Sequence, residues 1–381
     1  MSREVLLPTL LAAVIAGLVT NLLVPATVRF AVLVRALDYP GGRKSQTIAV
    51  PRLGGIAIFA GLAFGAVGVA MARWNQWSFG VGRSELAALA IGTLMVFLVG
   101  VMDDVFGVSA AKKFLVQLVA AYLLVHIGWS FQVLSLPGLK PIELGMFGEL
   151  VSVLWLVGVT NAINLLDGLD GLAGGVVAII ATGLLLYSID LGNFLVLVLM
   201  AAMVGSCLGF LRHNWAPAKI FMGDSGSLTL GYLLAAASVQ SSLKAPAAVA
   251  ILVPILVLGL PVMDTLVVML VRFVDRPHGA LVERFLRMFH ADRNHLHHVL
   301  EPFMARRGRI VAAIYTAAVL FCLMALTVAV THNATLGLVL VALEFLAVVL
   351  MRSLGPMFKK TNGHGNDRVV NLEPSSRRTG T

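Results

Sequence analysis

The chain has 381 residues, of which 59% are apolar and only 12% are charged, and its mean hydropathy is +0.93. Soluble domains carry about 25% charged residues, so this composition excludes a soluble protein and indicates one that lies in lipid. The net charge of +9 is typical of loops that orient a membrane protein. No basic stripe is interleaved with aromatic residues, so no nucleic-acid partner is expected.

Apolar windows long enough to cross about 30 Å of hydrocarbon as helices predict about eleven spans. In chain order, these predicted spans are Val5–Val28, Leu53–Ala72, Leu86–Met102, Phe114–Ile127, Met146–Thr160, Leu172–Ile189, Phe194–Leu211, Leu228–Val239, Ala247–Val271, Ile310–Val330 and Ala334–Met351. We therefore predict an all-α fold, a polytopic membrane helical bundle. Residues 1–355 form a single transmembrane catalytic domain in this prediction, and the polar segment 356–381 is a disordered cytoplasmic tail.

The basic residues are distributed unevenly between the two sides that these spans define. Of the 28 lysines and arginines, one side holds only Arg3, Arg73, Arg83, Lys140 and Lys244. The positive-inside rule therefore places the N-terminus outside and the C-terminus in the cytoplasm. All the polar motifs described next fall on the basic, cytoplasmic side.

The first motif is the pair Asp103-Asp104 at the end of the third predicted span, followed by Lys113 and Gln117. Adjacent carboxylates at a membrane edge repel each other, so at least one should be held by a cation, a lysine or a proton. A helix end whose lysines fix the topology is the alternative, but charge balance would not require the acids.

The second motif follows the fifth predicted span and places polar residues at three-residue steps, which are Asn161, Asn164, Asp167 and Asp170. This spacing puts them on one side of a helical or near-helical turn. Intervening glycines let backbone approach a ligand, and oxygen ligands of this kind suit Mg²⁺. The alternative is an ordinary turn between two spans, which would need fewer polar residues.

The third motif runs from Asn214 through Phe221 to Asp224, where a loop meets the start of the eighth predicted span. Free N–H groups at a helix start favour phosphate, while Asp224 can face a cation. The alternative is that Asp224 simply caps the helix.

The fourth motif lies in the long basic loop after the ninth predicted span. Leu281–Phe289 mixes apolar and basic residues like an interfacial helix. The histidines that follow can bond a diphosphate or sugar, or bind zinc at a spacing that is not the usual one for a helical pair; they are His295, His297 and His298. Asp264, inside the ninth span, is expected to pair with a basic residue such as Arg272.

Together these motifs resemble the polyprenyl-phosphate N-acetylhexosamine-1-phosphate transferases. The resemblance covers roughly Asp38 to Leu300 and is carried by Asp103-Asp104 with Lys113 and Gln117, the run from Asn161 to Ala173, Asn214 with Phe221-Met222-Gly223-Asp224, and His295-Leu296-His297-His298. The segments Pro261-Val262-Met263-Asp264-Thr265 and Asp292-Arg293-Asn294-His295 are similar to the branch that transfers GlcNAc 1-phosphate. The branch that transfers phospho-MurNAc-pentapeptide typically has a triple histidine instead.

The resemblance implies an integral enzyme of the bacterial inner membrane with a cytoplasmic active site. It would transfer GlcNAc 1-phosphate from UDP-GlcNAc to undecaprenyl phosphate, or a related polyprenyl phosphate, and release UMP in the first lipid-linked step of cell-wall or surface polysaccharide synthesis. The cofactor would be Mg²⁺, with Mn²⁺ able to substitute. A homodimer is compatible with the resemblance, and the sugar could also be another N-acetylhexosamine.

The resemblance also implies a role for each motif residue. Asp224 and Asn164 would hold the metal. The catalytic group would be Asp103, Asp104 and Lys113, acting at the lipid phosphate and beside the metal. The substrate would contact Asn161, Asp167, Asp170, Asn214, Phe221, Arg293, His295, His297 and His298, with the basic pair Arg43 and Lys44 adding charge in the first cytoplasmic loop. In that loop Gln46 stands where the family usually has histidine.

Two other classes of membrane protein remain as alternatives. A transporter or Mg²⁺ channel would place its acidic residues near the midplane rather than at one face. A CDP-alcohol phosphotransferase also uses aspartates for phosphate chemistry, but its Asp-Gly-x-x-Ala-Arg pattern is missing because Gly174 follows Ala173.

Overall fold

The computed structural model describes residues 3–39, 49–72, 81–274, 295–301, 304 and 307–362. Helices dominate this part of the chain. In order they are α1 Arg3–Leu33, α2 Gly54–Ala72, α3 Arg83–Phe106, α4 Ala110–His126, α5 Gly145–Leu166, α6 Leu172–Asp190, α7 Phe194–Asn214, α8 Gly223–Lys244, α9 Leu252–Val257, α10 Gly259–Val274, α11 Leu296–Leu300, α12 Arg307–Thr331 and α13 Ala334–Asn362. Two short antiparallel hairpins pair β1 Leu37–Asp38 with β2 Val50–Pro51, and β3 Val133–Leu134 with β4 Ile142–Glu143.

The helices confirm a polytopic helical membrane protein. Seven of the described helices are long and apolar enough to cross a bilayer, namely α1, α3, α5, α6, α7, α12 and α13. The other predicted spans fall on α2, α4, α8 and the α9–α10 pair, so the full count of spans and the orientation of the termini stay predictions. Helix α13 continues to Asn362, past the residue where the tail is predicted to begin, and residues 363–381 lie outside the described part.

The ninth predicted span, Ala247–Val271, does not form one continuous helix. The chain turns from residue 247 to 251, forms α9, and is interrupted at Leu258 before α10 begins at Gly259. Pro261 explains the position of the break. Because proline lacks the N–H that a helix interior requires, it is tolerated in the first turn of a new helix rather than in the middle of a long one.

The centre of the bundle is α8, packed between α3, α5, α6 and α7. Every residue from Ser225 to Ser242 is buried, although the helix is rich in serine and glycine and is not among the apolar spanning helices. Some of its hydroxyls are satisfied within the helix, since Thr229 donates to the Ser225 carbonyl at 2.6 Å and Ser238 to the Ala235 carbonyl at 2.7 Å. Others bond neighbouring helices, as the Tyr232 hydroxyl does in donating to the Ala120 carbonyl at 3.0 Å. Protein therefore surrounds this polar helix and shields it from lipid.

Helices α1 and α7 approach each other through small residues. A Cβ added at Gly205 would meet the backbone of Ala13, and one added at Gly209 would meet the backbone of Gly17. Such contacts let two backbones approach closely, which favours dispersion contacts in a membrane where helices gain no hydrophobic driving force from one another.

Gly205→Ala should destabilise the α1–α7 contact, because the new methyl group would overlap the Ala13 backbone. Overpacking of this kind costs about 1–3 kcal/mol. The matched control is Gly158→Ala in α5, where an added Cβ meets nothing within 4 Å. Thermal unfolding of both variants in detergent measures the difference, and equal midpoints would contradict the packing described here.

Candidate active site

Three carboxylates from two distant segments converge at one end of the bundle. Asp103 and Asp104 lie in the last turn of α3, and Asp224 lies in the first turn of α8. One oxygen from each of them lies within 4.8 Å of the others. The hydropathy windows stop before these residues, whereas α3 continues to Phe106 and α8 begins at Gly223, so all three side chains are held on helices.

Asp104 joins α3 to the start of α8. Its carboxylate accepts hydrogen bonds from the backbone N–H of Asp224 at 2.9 Å and of Ser225 at 3.0 Å, and from the Ser225 hydroxyl at 2.6 Å. The first N–H groups of a helix have no partner within the helix, and its N-terminal end favours negative charge. Asp104 is only 4% exposed, so it serves here as a cap supplied by another helix.

Two glycines allow this close approach. A Cβ at Gly100 of α3 would lie 2.5 Å from the Ser225 Cα, which no real side chain could tolerate without moving α8. Gly223 has a φ of 69°, a conformation that suits glycine, and a Cβ there would lie 2.6 Å from Asp104 Oδ1.

Lys113 and Asn164 surround Asp224. The Lys113 Nζ donates to Asp224 Oδ2 at 2.7 Å and lies 3.3 Å from Asp103 Oδ2. The Asn164 amide donates to Asp224 Oδ1 at 3.0 Å and to the Ser227 hydroxyl at 2.8 Å. Burial lowers the pKa of Lys113, but the hydrogen bonds and charges of Asp224 and Asp103 together outweigh burial and leave that pKa above its usual value.

This donor set fits a hard divalent cation. The convergent carboxylate oxygens of Asp103, Asp104 and Asp224 are the type of ligand that Mg²⁺ takes, and no thiolate lies among them. The Lys113 ammonium already lies between Asp103 and Asp224, which demonstrates that these carboxylates point toward a common positive charge.

The second motif is divided between a helix and a turn. Asn161 and Asn164 lie on α5, which ends at Leu166, and Asp167 follows as its cap. The Asn161 amide donates to Gln117 Oε1 and to the Val157 carbonyl. Burial, reinforced by Asp224, Asp104 and Asp170, raises the pKa of Asp167 to about 7. Near neutral pH this carboxyl group can therefore donate as well as accept a hydrogen bond.

The glycine-rich turn after Asp167 is clamped by side chains from other helices. The Gly171 N–H donates to Asn214 Oδ1 at 2.9 Å, and the Gly171 carbonyl accepts from the Tyr315 hydroxyl at 2.5 Å. Asn214 is 3% exposed and also donates to the Ile220 carbonyl at 2.8 Å. Asp170 accepts from the Ala218 N–H at 3.0 Å. Asn214 and Asp170 therefore join the second motif to the third, because each side chain accepts a hydrogen bond from a backbone N–H of the other motif.

A short backbone ladder fixes the loop before Asp224. The Phe221 N–H donates to the Pro51 carbonyl at 2.8 Å, and the Gly54 N–H donates to the Phe221 carbonyl at 3.0 Å. Arg52, in the same segment, lies 3.9 Å from Asp104 Oδ1. The loop between α1 and α2 therefore reaches the carboxylate cluster, and the partly buried Phe221 side chain lies directly before α8.

The histidine motif is anchored on α10. His295 Nδ1 lies 2.9 Å from Asp264 Oδ2, and the Leu296 N–H donates to Asp264 Oδ1 at 3.1 Å. The sequence predicts that Asp264 pairs with a basic residue such as Arg272; it does contact a basic residue, but this residue is Arg352, whose Nη1 lies 2.9 Å from Asp264 Oδ1. The difference arises because α13, distant in sequence, packs against α10.

His297 extends the histidine motif to the second motif. It packs against Gly168, beside Asp167, and is 2% exposed. Burial, followed by the charge of His298, lowers the pKa of His297 to about 4, so the ring is neutral at physiological pH. Neither ring nitrogen has a hydrogen-bond partner among the described residues. The ring of His298 lies 4.2 Å from that of His297.

The structure brings most of the predicted site residues together. Arg43, Lys44 and Arg293 lie outside the described residues, as do Gln46 and the predicted interfacial helix Leu281–Phe289. Sequence reasoning assigned no role to Ser225, Ser227 or Tyr315. The two serines could have been found in the Asp224 motif, but nothing in the sequence around Tyr315 signals its contact with Gly171.

Comparison with known proteins agrees with this geometry. A family model described as glycosyl transferase family 4 matches residues 86–242, which include Asp103, Asn164 and Asp224. A Bacillus subtilis protein named "Probable undecaprenyl-phosphate N-acetylglucosaminyl 1-phosphate transferase" is 34% identical over 346 residues, covering 90% of this chain and 90% of that protein.

Two further relatives represent two sugar specificities. The decaprenyl-phosphate N-acetylglucosaminephosphotransferase of Mycobacterium tuberculosis is 35% identical over 302 residues, covering 74% of this chain and 72% of that protein. The phospho-N-acetylmuramoyl-pentapeptide-transferase of Desulforamulus reducens is 33% identical over 303 residues, covering 74% of this chain and 86% of that protein.

The chain therefore belongs to the polyprenyl-phosphate N-acetylhexosamine-1-phosphate transferases of glycosyl transferase family 4. It is an integral membrane enzyme, and the resemblance found in its motifs is confirmed. Membership in this family decides against the transporter, Mg²⁺-channel and CDP-alcohol phosphotransferase alternatives.

Tyr315→Phe should lower activity, because the clamp on Gly171 loses one hydrogen bond while the ring still fills its place. A buried hydrogen bond contributes about 0.5–1.5 kcal/mol, which predicts a loss of roughly 3- to 10-fold in kcat/KM. Steady-state kinetics of the variant and the wild type measure this loss in kcat/KM. The control is Tyr122→Phe, since Tyr122 is 56% exposed on α4. An unchanged Tyr315→Phe enzyme would contradict a positioning role for the clamp.

Proposed function

We propose that this enzyme transfers N-acetylglucosamine 1-phosphate from UDP-GlcNAc to undecaprenyl phosphate or a related polyprenyl phosphate, releasing UMP at the cytoplasmic face. The observation that carries the proposal is the convergence of Asp103, Asp104 and Asp224 around Lys113, with Asn164 beside them. Carboxylates that can hold a cation, next to an ammonium group that can hold a phosphate, are what transfer between two phosphorylated substrates requires.

The choice of GlcNAc rests on two observations. The Bacillus subtilis and Mycobacterium tuberculosis relatives named for N-acetylglucosamine match 90% and 74% of this chain. In addition, the segments that resemble the GlcNAc branch meet in the structure, since Asp264 of the Pro261–Thr265 segment contacts His295 at 2.9 Å. The pentapeptide sugar remains the alternative, because a relative named for it is also 33% identical.

We assign the metal to Asp224 and Asn164, with Asp103 and Asp104 beside them. A bound Mg²⁺ would neutralise charge that develops on the diphosphate of the sugar nucleotide. Asn164 already holds Asp224 at 3.0 Å and could instead offer its amide oxygen after a rotation of the side chain. Because α3, α5 and α8 carry these residues, little rearrangement of backbone is needed to bind a cation.

In the proposed reaction, an oxygen of the lipid phosphate attacks the phosphorus that is bonded to the sugar. The new bond is P–O to the lipid phosphate, and the bond to the UMP phosphate oxygen breaks, so UMP leaves with the electron pair. Asp103 would orient the lipid phosphate or act as a base, and Lys113 would hold phosphate oxygens. Asp104, whose oxygens bind the start of α8, would hold Asp224 in position.

The remaining site residues would bind the donor. Asp167, with its raised pKa of about 7, Asp170 and Phe221 would line the uridine end, and Phe221 would stack on the base. Asn161 and Asn214 support the same region through Gln117 and Gly171. The histidines, Arg293 and the basic pair Arg43 and Lys44 would face phosphate and sugar.

Purified enzyme with undecaprenyl phosphate and Mg²⁺ should release UMP from UDP-GlcNAc but not from UDP-MurNAc-pentapeptide. EDTA or Asp224→Asn should abolish turnover, by at least about 10³-fold for the loss of a metal ligand. The control is Asp190→Asn at the exposed end of α6. Turnover with the pentapeptide donor alone would overturn the sugar assignment, and UMP from neither donor would contradict the proposed reaction.

The cytoplasmic location of the site can be tested by labelling single cysteines with a membrane-impermeant maleimide. The native thiols Cys207 and Cys322 are buried, so they should give little background. The side chains of Lys140 and Lys112 are both exposed on the protein surface, so a cysteine at either position can react. In the proposed topology, Lys140→Cys should be labelled in intact cells, whereas Lys112→Cys, one residue before Lys113, should be labelled only after permeabilisation. The reverse pattern would invert the topology.

A further inference from the structure

Arg352 lies at the end of the apolar part of α13, Ala334–Ser353. At the end of a transmembrane segment, an arginine usually extends to lipid headgroups and water, where its charge helps to set the topology. In the structure the side chain is only 10% exposed and turns inward, so that its Nη1 lies 2.9 Å from Asp264 Oδ1. It therefore binds a protein carboxylate.

The Asp264 carboxylate is shared by three groups. Oδ1 accepts from Arg352 and from the Leu296 N–H at 3.1 Å, and Oδ2 contacts His295 Nδ1 at 2.9 Å. A carboxylate accepts hydrogen bonds, so Nδ1 carries the hydrogen and Nε2 is left as the ring nitrogen for a ligand. The side chains of His295 and Asp264 are 5% and 6% exposed, which makes this an enclosed cluster rather than a surface ion pair.

Asp264 also anchors the histidine motif, through its contacts with His295 and Leu296. Both of its contacts with the motif are made at the start of α11, and the same short helix carries His297, which packs against Gly168. Any shift of the Asp264 carboxylate would therefore move the start of α11. Arg352 opposes such a shift, because it holds Oδ1 from the opposite element, α13.

We propose that Arg352 is a positioning residue for the transfer reaction: through Asp264 it holds His295, and with it the histidine motif, in the orientation that binds the sugar phosphate. The inference rests on the proposed function in one respect, which is that the histidines contact the donor. All three residues of this relay lie beyond residues 86–242, the part that the family model matches.

The predicted effect is specific to donor binding. Arg352→Gln leaves Asp103, Asp224 and Lys113 unaltered, so kcat should fall less than about threefold, while the KM for UDP-GlcNAc should rise about tenfold. Arg352→Lys keeps the charge but not the planar geometry, and should recover most of the donor affinity, to within about threefold of the wild type. The affinity for UMP with Mg²⁺, measured by calorimetry, should change less than about twofold, because UMP lacks the sugar phosphate that the histidines are proposed to bind.

The control for removing an arginine near this motif is Arg307→Gln. Arg307 also binds an acidic residue, with its Nη2 3.1 Å from Glu301 Oε1, but that pair is 46–47% exposed. An exposed ion pair contributes little, so wild-type kinetics are expected. A general loss of positive charge would affect both variants, whereas loss of the relay would affect only Arg352→Gln.

A double-mutant cycle separates the inference from the proposed function. His295→Gln should raise the donor KM, and adding Arg352→Gln to it should have no further effect, since both changes act through the same histidine. If His295→Gln behaves as wild type, the proposed role of the histidine in donor binding fails. If His295→Gln is impaired while Arg352→Gln is not, or if their effects add, the positioning role of Arg352 is overturned and the proposed function stands.

A variant that lacks both charges is the control for misfolding. Arg352→Gln alone leaves Asp264 buried without its cation, which can destabilise the protein. The double variant Arg352→Gln with Asp264→Asn leaves no uncompensated charge. The asparagine at position 264 still offers an oxygen to His295, but no arginine contacts it. A folded double variant, judged by size-exclusion chromatography and its unfolding midpoint, should have the raised donor KM. A wild-type KM in that variant overturns the inference.

Discussion

The contact on which the site depends is the capping of α8 by Asp104. The first N–H groups of α8 have no acceptor within their own helix, and Asp104 supplies one from α3. Because the same hydrogen bonds join the ends of two helices, they bring Asp103 beside Asp224. This link and the Lys113 ammonium, which contacts both Asp103 and Asp224, together offset the repulsion between the two carboxylate-bearing helix ends.

In this arrangement, side chains of the same type have different roles. Asp104, Asp170 and Asn214 each accept hydrogen bonds from backbone N–H groups of neighbouring segments. Asp103, Lys113 and Asp224 contact one another instead, and therefore keep groups that a cation or a phosphate can engage. Supporting residues buried in this way hold the reacting groups at fixed distances, which is what transfer between two bound phosphates requires.

Much of the fold follows from the sequence because hydrophobic length is a local property. Every predicted span but the ninth falls almost entirely on one helix, and the motif residues Asp103, Asn164 and Asp224 could be recognised from their spacing and from their family resemblance. The break at Leu258 was missed, since an apolar window is unaffected by the missing N–H of Pro261. The ends of α3, α5 and α7 were placed too early, because polar residues end a hydropathy window without ending a helix.

The sequence by itself determined that this protein lies in a membrane, that its polar motifs belong together, and which family they resemble. Only the tertiary structure decided which residues contact one another. Asp264 binds His295 and Arg352 rather than Arg272, and Gly171 is held by Asn214 and Tyr315. Such contacts join residues far apart in the chain, and they depend on how helices pack, which no local pattern of residues encodes.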